Sequence, residues 1–337
     1  MRDVAERAGV SVTTVSHVIN QSRPVSDELR SRVLEAMHEL GYQPNTLARS
    51  LRRGKTHTIG IIIPDSANPF FAEVARGIED TSFEHGSSVI LCNTDNDLER
   101  ESLYTGVLVE KQVDGILFVA AGLSTENIQA LQNRGMPLVI VDRQVSGVEV
   151  DSVLTDNHQG GLLATRHLIE LGHTRIGCIV GPSDLTPSAA RITGYQQALS
   201  EAAIPFDETL IIKGDFQYES GFDAANQLLS MPNPPSAIFA FNDLMAVGAL
   251  SNALERGLVV PEDLSLLGFD DVRPALYANP PLTTVRQPKH EIGVLATQML
   301  LERMLDPTLP PRTRVLETNL TLRQSTAPIK ERIQIPH

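Results

Sequence analysis

The chain has 337 residues, 42% of them hydrophobic, and a formal net charge of −13. That is enough apolar material for two or three domains with a sizeable core, and the unbiased composition excludes a low-complexity chain. No apolar run approaches the roughly 18 residues that cross a bilayer, no secretory leader follows Met1, and Cys92 and Cys178 stand at no zinc or disulfide spacing. A cytoplasmic protein with two buried free thiols and no metal or other cofactor is expected.

The charge is unevenly divided. Residues 1–57 carry nine Lys and Arg against six acids, a net +3, which leaves −16 on the remainder. A small cationic head on an acidic body suits a protein whose head alone approaches phosphate.

In chain order, the first twenty residues, MRDVAERAGVSVTTVSHVIN, read as two short helices joined by a tight turn at Gly9 and Val10. Val4, Ala5 and Ala8 recur at helical spacing in the first helix. Ser11 stands where a hydroxyl caps the second, whose apolar face is read as Val12, Val15, Val18 and Ile19. The opposite face offers Thr13, Thr14, Ser16, His17 and Asn20, short hydrogen-bonding side chains suited to base edges and phosphates. A third helix is expected over 27–40, with Leu29, Val33, Leu34, Met37 and Leu40 on one side and Gly41 as its stop. The linker GYQPNTLARSLRRGKTHT holds one short helix over 45–51, with Asn45 as N-cap and Arg52, Arg53 and Lys55 behind it.

From Thr58 the pattern becomes short β-branched runs alternating with helices. IGIIIP, SVILCN, GILFVA and PLVIVD form one set; RIGCIV, TLIIKG, AIFAF and LSLLGF form a second. Helices are expected over 71–85, 99–112, 161–171, 189–203, 219–231, 244–256 and 290–304, and a last strand over 315–319. Continuous apolar strands between amphipathic helices mean parallel sheets buried on both faces, here as two Rossmann-like lobes.

In open parallel sheets ligands bind beyond the carboxyl ends of the strands. The segments that follow the apolar runs are 65–71, Asp142 with Arg143, 182–191, Asp215 with Phe216, Asn242 with Asp243, and Asp270 with Asp271. Carboxylates and amides serve hydroxyls, Arg supplies a bidentate fork, and Phe stacks on the C–H face of a sugar. Strand-end Asp and Asn are also common turn formers, and Asp243 and Asp271 are read that way.

Together the segments DVAERAGVSVTTVSHVIN, PNTLARSL, IGIIIPDSANPFFAEVARGIE, GFDD and PLTTVRQP resemble the LacI/GalR family of bacterial transcription regulators along the whole chain. The resemblance implies an all-α helix-turn-helix head over 1–44, a hinge helix and linker over 45–57, and an α/β body over 58–337 of the periplasmic-binding-protein type. Within the body, lobe I is expected over 58–157 and 288–319, and lobe II over 158–287 and 320–330. It implies base contacts by Val12, Thr13 and His17, with Thr14 and Ser16 nearer the backbone and Ser11 and Asn20 also at the DNA. A minor-groove wedge falls on Leu51 among Asn45, Arg49 and Arg52.

Family members place a Thr three residues before the position of Asp3; only Met1 and Arg2 stand there. The first helix therefore frays by about 1 kcal/mol unless further residues precede Met1.

The body's pocket pattern is similar to that of ribose-binding proteins, which implies effector contacts by Asn68, Phe70, Phe71, Asp142, Arg143, Arg191, Phe216, Asn242, Asp270 and Gln287. The implied partners are double-stranded operator DNA, a sugar such as ribose, and a second copy of the chain, with a tetramer open. A hexose, a sugar phosphate or a nucleoside is the competing effector. A transport protein is disfavoured by the cationic head, and an enzyme by the lack of a P-loop, a GxSxG elbow or metal-ligand spacing.

Overall fold

The computed structural model describes residues 1–20, 23–42, 55–119, 122, 125–145, 147–182 and 186–329. They form two compact units, divided between Thr56 and His57.

The head unit contains α1 (Arg2–Ala8), α2 (Val12–Asn20) and α3 (Asp27–Glu39). Its core is Val4, Ala5, Ala8, Val15, Val18, Val33 and Ala36. Gly9 ends α1 in the left-handed region at φ 64°, a conformation that costs a residue with a Cβ but not glycine. Arg32 of α3 donates to the Ala8 carbonyl at 2.6 Å, so the end of α1 is closed by a side chain of the third helix. Ser11 caps α2 as expected: its Oγ accepts from Thr14 N at 3.0 Å. No side chain caps the start of α1 at Met1.

Three apolar assignments need correction. Val12, placed on the buried face of α2, is 44% exposed, because the packed stripe begins one turn later at Val15. Leu34 and Leu40 also face outward, since α3 buries only the narrow face carried by Val33 and Ala36.

The body unit holds two six-stranded sheets. The first contains β1 (Thr58–Ile63), β2 (Ser88–Asn93), β3 (Gly115–Val119), β4 (Leu138–Val141), β5 (Asp151–Thr155) and β11 (Thr313–Leu316), all parallel, in the order β11-β5-β4-β3-β1-β2. The second contains β6 (Ile176–Val180), β7 (Ile211–Lys213), β8 (Ala237–Ala240), β9 (Ser265–Asp270), β10 (Thr283–Arg286) and β12 (Asn319–Thr321), in the order β12-β10-β9-β8-β6-β7, with only β12 antiparallel. Successive side chains of a strand point to opposite faces. Ile59, Ile61 and Ile63 accordingly enter one apolar cluster and Ile62 enters the other.

Helices α4 (Pro69–Glu84), α5 (Leu98–Glu110), α6 (Thr125–Asn133) and α12 (Lys289–Leu305) accompany the first sheet. Helices α7 (Asn157–Glu170), α8 (Thr186–Glu201), α9 (Tyr218–Leu229), α10 (Asp243–Glu255) and α11 (Arg273–Tyr277) accompany the second. The chain passes between the sheets three times, after β5, β10 and β11. The last passage corrects the single strand expected over 315–319. Leu316 pairs with Thr155 in the first sheet while Asn319 pairs with Arg286 in the second, so the crossing lies at Glu317 and Thr318. Cys92 and Cys178 are both buried and free.

Candidate functional site

On α2 the outward residues are Val12 and Thr13, both exposed, with Thr14, Ser16, His17 and Asn20 partly covered. Some of these polar groups serve each other. Ser11 Oγ and Thr14 Oγ1 lie 2.9 Å apart, and Asn20 Nδ2 donates to the Ser16 carbonyl at 2.8 Å and to Ser16 Oγ at 3.1 Å. The exposure of Val12 is an apolar group on a polar face, which suits contact with a thymine methyl. Asn45, Arg49, Leu51 and Arg52 lie outside the described residues.

In each sheet the strand order reverses beside the first strand, so the carboxyl ends of β1 and β3, and of β6 and β8, flank a crevice. A cavity of about 470 Å³ occupies this end of the body, and all ten expected effector residues line it.

The loop after β1 supplies Asn68, Phe70 and Phe71. Asn68 Oδ1 accepts from Phe70 N at 3.0 Å, capping α4, and Pro69 fills the first helical turn, where a missing N–H costs nothing. The two rings meet edge to face at 5.1 Å, presenting an apolar wall. From the second sheet, Asn242 caps α10 through Met245 N at 2.9 Å and donates to the Phe216 carbonyl at 2.8 Å. One amide thus anchors both a helix and the opposing aromatic ring. Gly181 allows this ring to settle, since a Cβ there would stand 2.1 Å from the Phe216 ring.

Arg191 is 4% exposed. Its Nε donates to Asn157 Oδ1 at 2.8 Å, its Nη1 donates to the Phe241 carbonyl, and its plane stacks 3.7 Å from the centre of the Phe269 ring. Nη2 stands 3.9 Å from Asp270 Oδ1, which also accepts from Gln287 Nε2 at 2.7 Å. Two neighbouring acceptors, Asp142 Oδ1 and Gln287 Oε1, are buried without a hydrogen-bond partner among the described residues. Buried acceptors of this kind require donors, and ligand hydroxyls are donors of the right sort.

Strain concentrates here as well. Asp142, Phe216, Asp270 and Asn96 all have positive φ, and all four line the cavity.

Burial raises the pKa of Asp142, against the pull of Arg191 and Arg143. It lifts Asp270 from an ordinary 3.8 to about 6, against the opposing effects of Arg191, the Gln287 hydrogen bond and Lys289. The fold therefore keeps a proton on Asp270 across a window in which the unfolded chain releases it. Because the unfolded chain releases this proton first, on the order of 3 kcal/mol of stability is lost as pH rises from about 4 to about 6. Asp270→Asn mimics the protonated acid. Chemical denaturation should show the variant gaining on wild type across that window; parallel curves for the two proteins would refute this coupling.

Asp243 and Asp271 do not line the cavity. Asp243 is more than a turn former: buried, it accepts from Thr284 Oγ1 at 2.6 Å and Val272 N at 2.8 Å, tying α10 to β10 and to the start of α11. Asp271 pairs with Arg323.

Thr94, Asn96, Leu98, Glu101, Gly122 and Gln217 line the cavity without having been expected there. Thr94 and Asn96 follow β2, a strand end to which the carboxyl-end rule applies as it does to the others. Glu101 had no such signal, being a carboxylate on a helix.

Residues 56–326 match the family model described as periplasmic binding proteins and sugar binding domain of LacI family, and residues 1–45 match bacterial regulatory proteins, lacI family. The HTH-type transcriptional repressor PurR of Aliivibrio salmonicida is 42% identical over 307 residues, covering 91% of this chain and 92% of that one. The ribose operon repressor of Escherichia coli is 43% identical over 310 residues, covering 92% and 94%. Among solved structures, a lac repressor dimer bound to operator and the anti-inducer ONPF is similar with a TM-score of 0.86 at 29% identity, covering 96% of this chain and 98% of that one. With a helix-turn-helix head and a two-sheet body whose strand ends surround one cavity, the chain belongs to the LacI family of bacterial transcriptional regulators.

Proposed function

We propose that the chain is a repressor that binds a near-palindromic operator as a homodimer, and that a sugar-like polyol, ribose or a related pentose, sets its operator affinity. The observation that carries the effector reading is the convergence of two Phe walls, the Arg191 fork and the unpartnered acceptors of Asp142 and Gln287 on one cavity. Carboxylate, amide and guanidinium groups serve several hydroxyls at once, while aromatic faces cover the apolar side of the ring. Pro187 also lines the cavity and offers no side-chain hydrogen bond, which favours a sugar over a nucleobase. A hexose, a sugar phosphate or a nucleoside is the competing ligand, since the chain is as similar to the repressor PurR as to the ribose operon repressor.

In this reading Val12, Thr13 and His17 contact base edges, and Ser11, Thr14, Ser16 and Asn20 contact the backbone. Asn45, Arg49, Leu51 and Arg52 act in the minor groove from the linker over 45–57. One helix-turn-helix reads half a site, so two copies match a two-fold operator. The protein works in the cytoplasm, where its DNA lies, and binds its effector without converting it. The effector acts only through its differential affinity for the states of the body that favour or oppose operator binding.

Fluorescence anisotropy on a palindromic operator tests this. Affinity should fall steeply with salt, weaken at least about tenfold in Leu51→Ala, and change on addition of ribose. Binding that ignores salt and survives Leu51→Ala overturns the hinge assignment. Equal thermal shifts with ribose, hexoses, purine bases and buffer overturn the effector assignment.

A further inference from the structure

The charges on the cavity wall say more than that it takes hydroxyls. The described lining residues include five carboxylates, Asp65, Glu101, Asp142, Asp215 and Asp270, and two guanidiniums, Arg143 and Arg191; behind the wall Lys289 also acts on Asp270 but is committed to the Asp270 and Asp271 carbonyls and to Glu73. Arg191 is committed to Asn157, the Phe241 carbonyl, the Phe269 face and Asp270. Arg143 is within Coulombic reach of two of the carboxylates, Asp142 and Glu101, so its charge is shared between them.

Glu101 makes this arrangement asymmetric. It is 4% exposed, stands in the first turn of α5, and its Oε2 accepts from the Gly122 backbone N–H at 2.9 Å. That hydrogen bond fixes the carboxylate at the cavity wall, within Coulombic reach of Arg143. A phosphate needs an uncommitted cation or a cluster of free backbone N–H groups. Here it meets a carboxylate whose neighbouring Arg is already counterbalanced, and like charges in a partly dry site repel strongly.

We infer that Glu101, supported by Asp65 and Asp215 at the cavity wall, sets the charge specificity of this site: it admits an uncharged ligand and rejects its phosphorylated form. This rests on the reading of the cavity as the effector site for a polyol. The regulator then responds to the free sugar before any phosphorylating enzyme has acted on it.

The experiment is a calorimetric titration of the full-length protein with three compound pairs: ribose and ribose 5-phosphate, adenosine and its 5′-monophosphate, hypoxanthine and its ribonucleoside monophosphate. Wild type should bind the uncharged member at least about tenfold more tightly in whichever pair it recognises. Glu101→Gln, which removes the charge and keeps the shape, should narrow that ratio several-fold. Asp215→Asn, at an exposed position, repeats the test where folding is not at issue. A phosphorylated compound that binds wild type as tightly as its uncharged partner overturns the inference while leaving the polyol reading intact. So does an unchanged ratio in both variants. Recognition of hypoxanthine without ribose, or binding by no compound, overturns the polyol reading and with it the inference that rests on it.

Discussion

Arg191→Met should yield a protein that still folds and still binds operator DNA, but whose thermal midpoint and operator affinity no longer respond to ribose. The guanidinium joins Asn157 at the start of α7, the chain after β8, and Asp270 at the end of β9. Removing it leaves Asn157 Oδ1 and the Phe241 carbonyl without their guanidinium donor, at about 1–3 kcal/mol for each buried acceptor so deprived. Asp270 also loses its cation, yet at 3.9 Å that ion pair is the loosest of the three contacts. A carboxyl already lifted to about 6 escapes by taking a proton. The full 3–5 kcal/mol of a stranded buried charge is therefore not reached, and a total loss of about 3–4 kcal/mol is expected. Arg191→Lys separates charge from shape. An ammonium keeps the positive charge but cannot serve Asn157 and Phe241 together while facing Asp270, so the ribose response should persist at an effector concentration raised at least about tenfold. Full loss of response in Arg191→Lys would contradict the tenfold shift and show that charge without the fork achieves nothing; a normal response in Arg191→Met removes Arg191 from the effector site.

How much of this was legible in the sequence depended on whether each element was apolar enough to show itself. The strands running through Ile59–Ile63 and through residues 115–119 are buried on both faces and read as continuous hydrophobic runs. The carboxyl-end rule applied to them located residues from opposite lobes in one cavity. Helix α6 gives no legible helical period, because only Ile128 and Leu131 are buried along its nine residues. Strand β5 was missed because it opens on a carboxylate. Asp151 is 1% exposed, and its charge is held by Arg303 at 3.0 Å and Arg312 at 3.5 Å from distant parts of the chain. Strand β10 buries Thr283 and Thr284, whose hydroxyls are satisfied by long-range partners that local pattern does not reveal. Val12 was misassigned because a three-helix head has so small a core that a valine one turn early already lies beyond it. Glu101 belongs to the same class of omission: its meaning comes from the Gly122 backbone, 21 positions away.

The second large effect is expected where no side chain acts at all. Three helix pairs of the body cross at reciprocal glycines: Gly77 and Gly293 on α4 and α12, Gly161 and Gly194 on α7 and α8, Gly221 and Gly248 on α9 and α10. At each of the six, an added Cβ would lie 2.1–2.3 Å from a backbone carbonyl oxygen of the facing helix. Backbone cannot rotate aside as a side chain does, so the helices themselves must part. The α7–α8 crossing matters most for function, because the oxygen that Gly161 faces is the carbonyl of Arg191 itself, at 2.3 Å. Gly161→Ala should therefore lower stability by about 3 kcal/mol, the upper part of the range for overpacking. It should also weaken effector binding at least about tenfold, by moving Arg191 away from Asn157 on the opposing helix. Gly106→Ala is the control. It lies on the exposed side of α5 with nothing within 4 Å of the new methyl, and should gain about 0.5–1 kcal/mol from helix propensity alone. Urea denaturation with a ribose titration on each variant separates the two cases. If Gly161→Ala matches wild type in both, the crossing has slack to absorb a methyl group and does not control the position of Arg191. If stability falls while affinity holds, the crossing supports the lobe but the fork finds its own place within it.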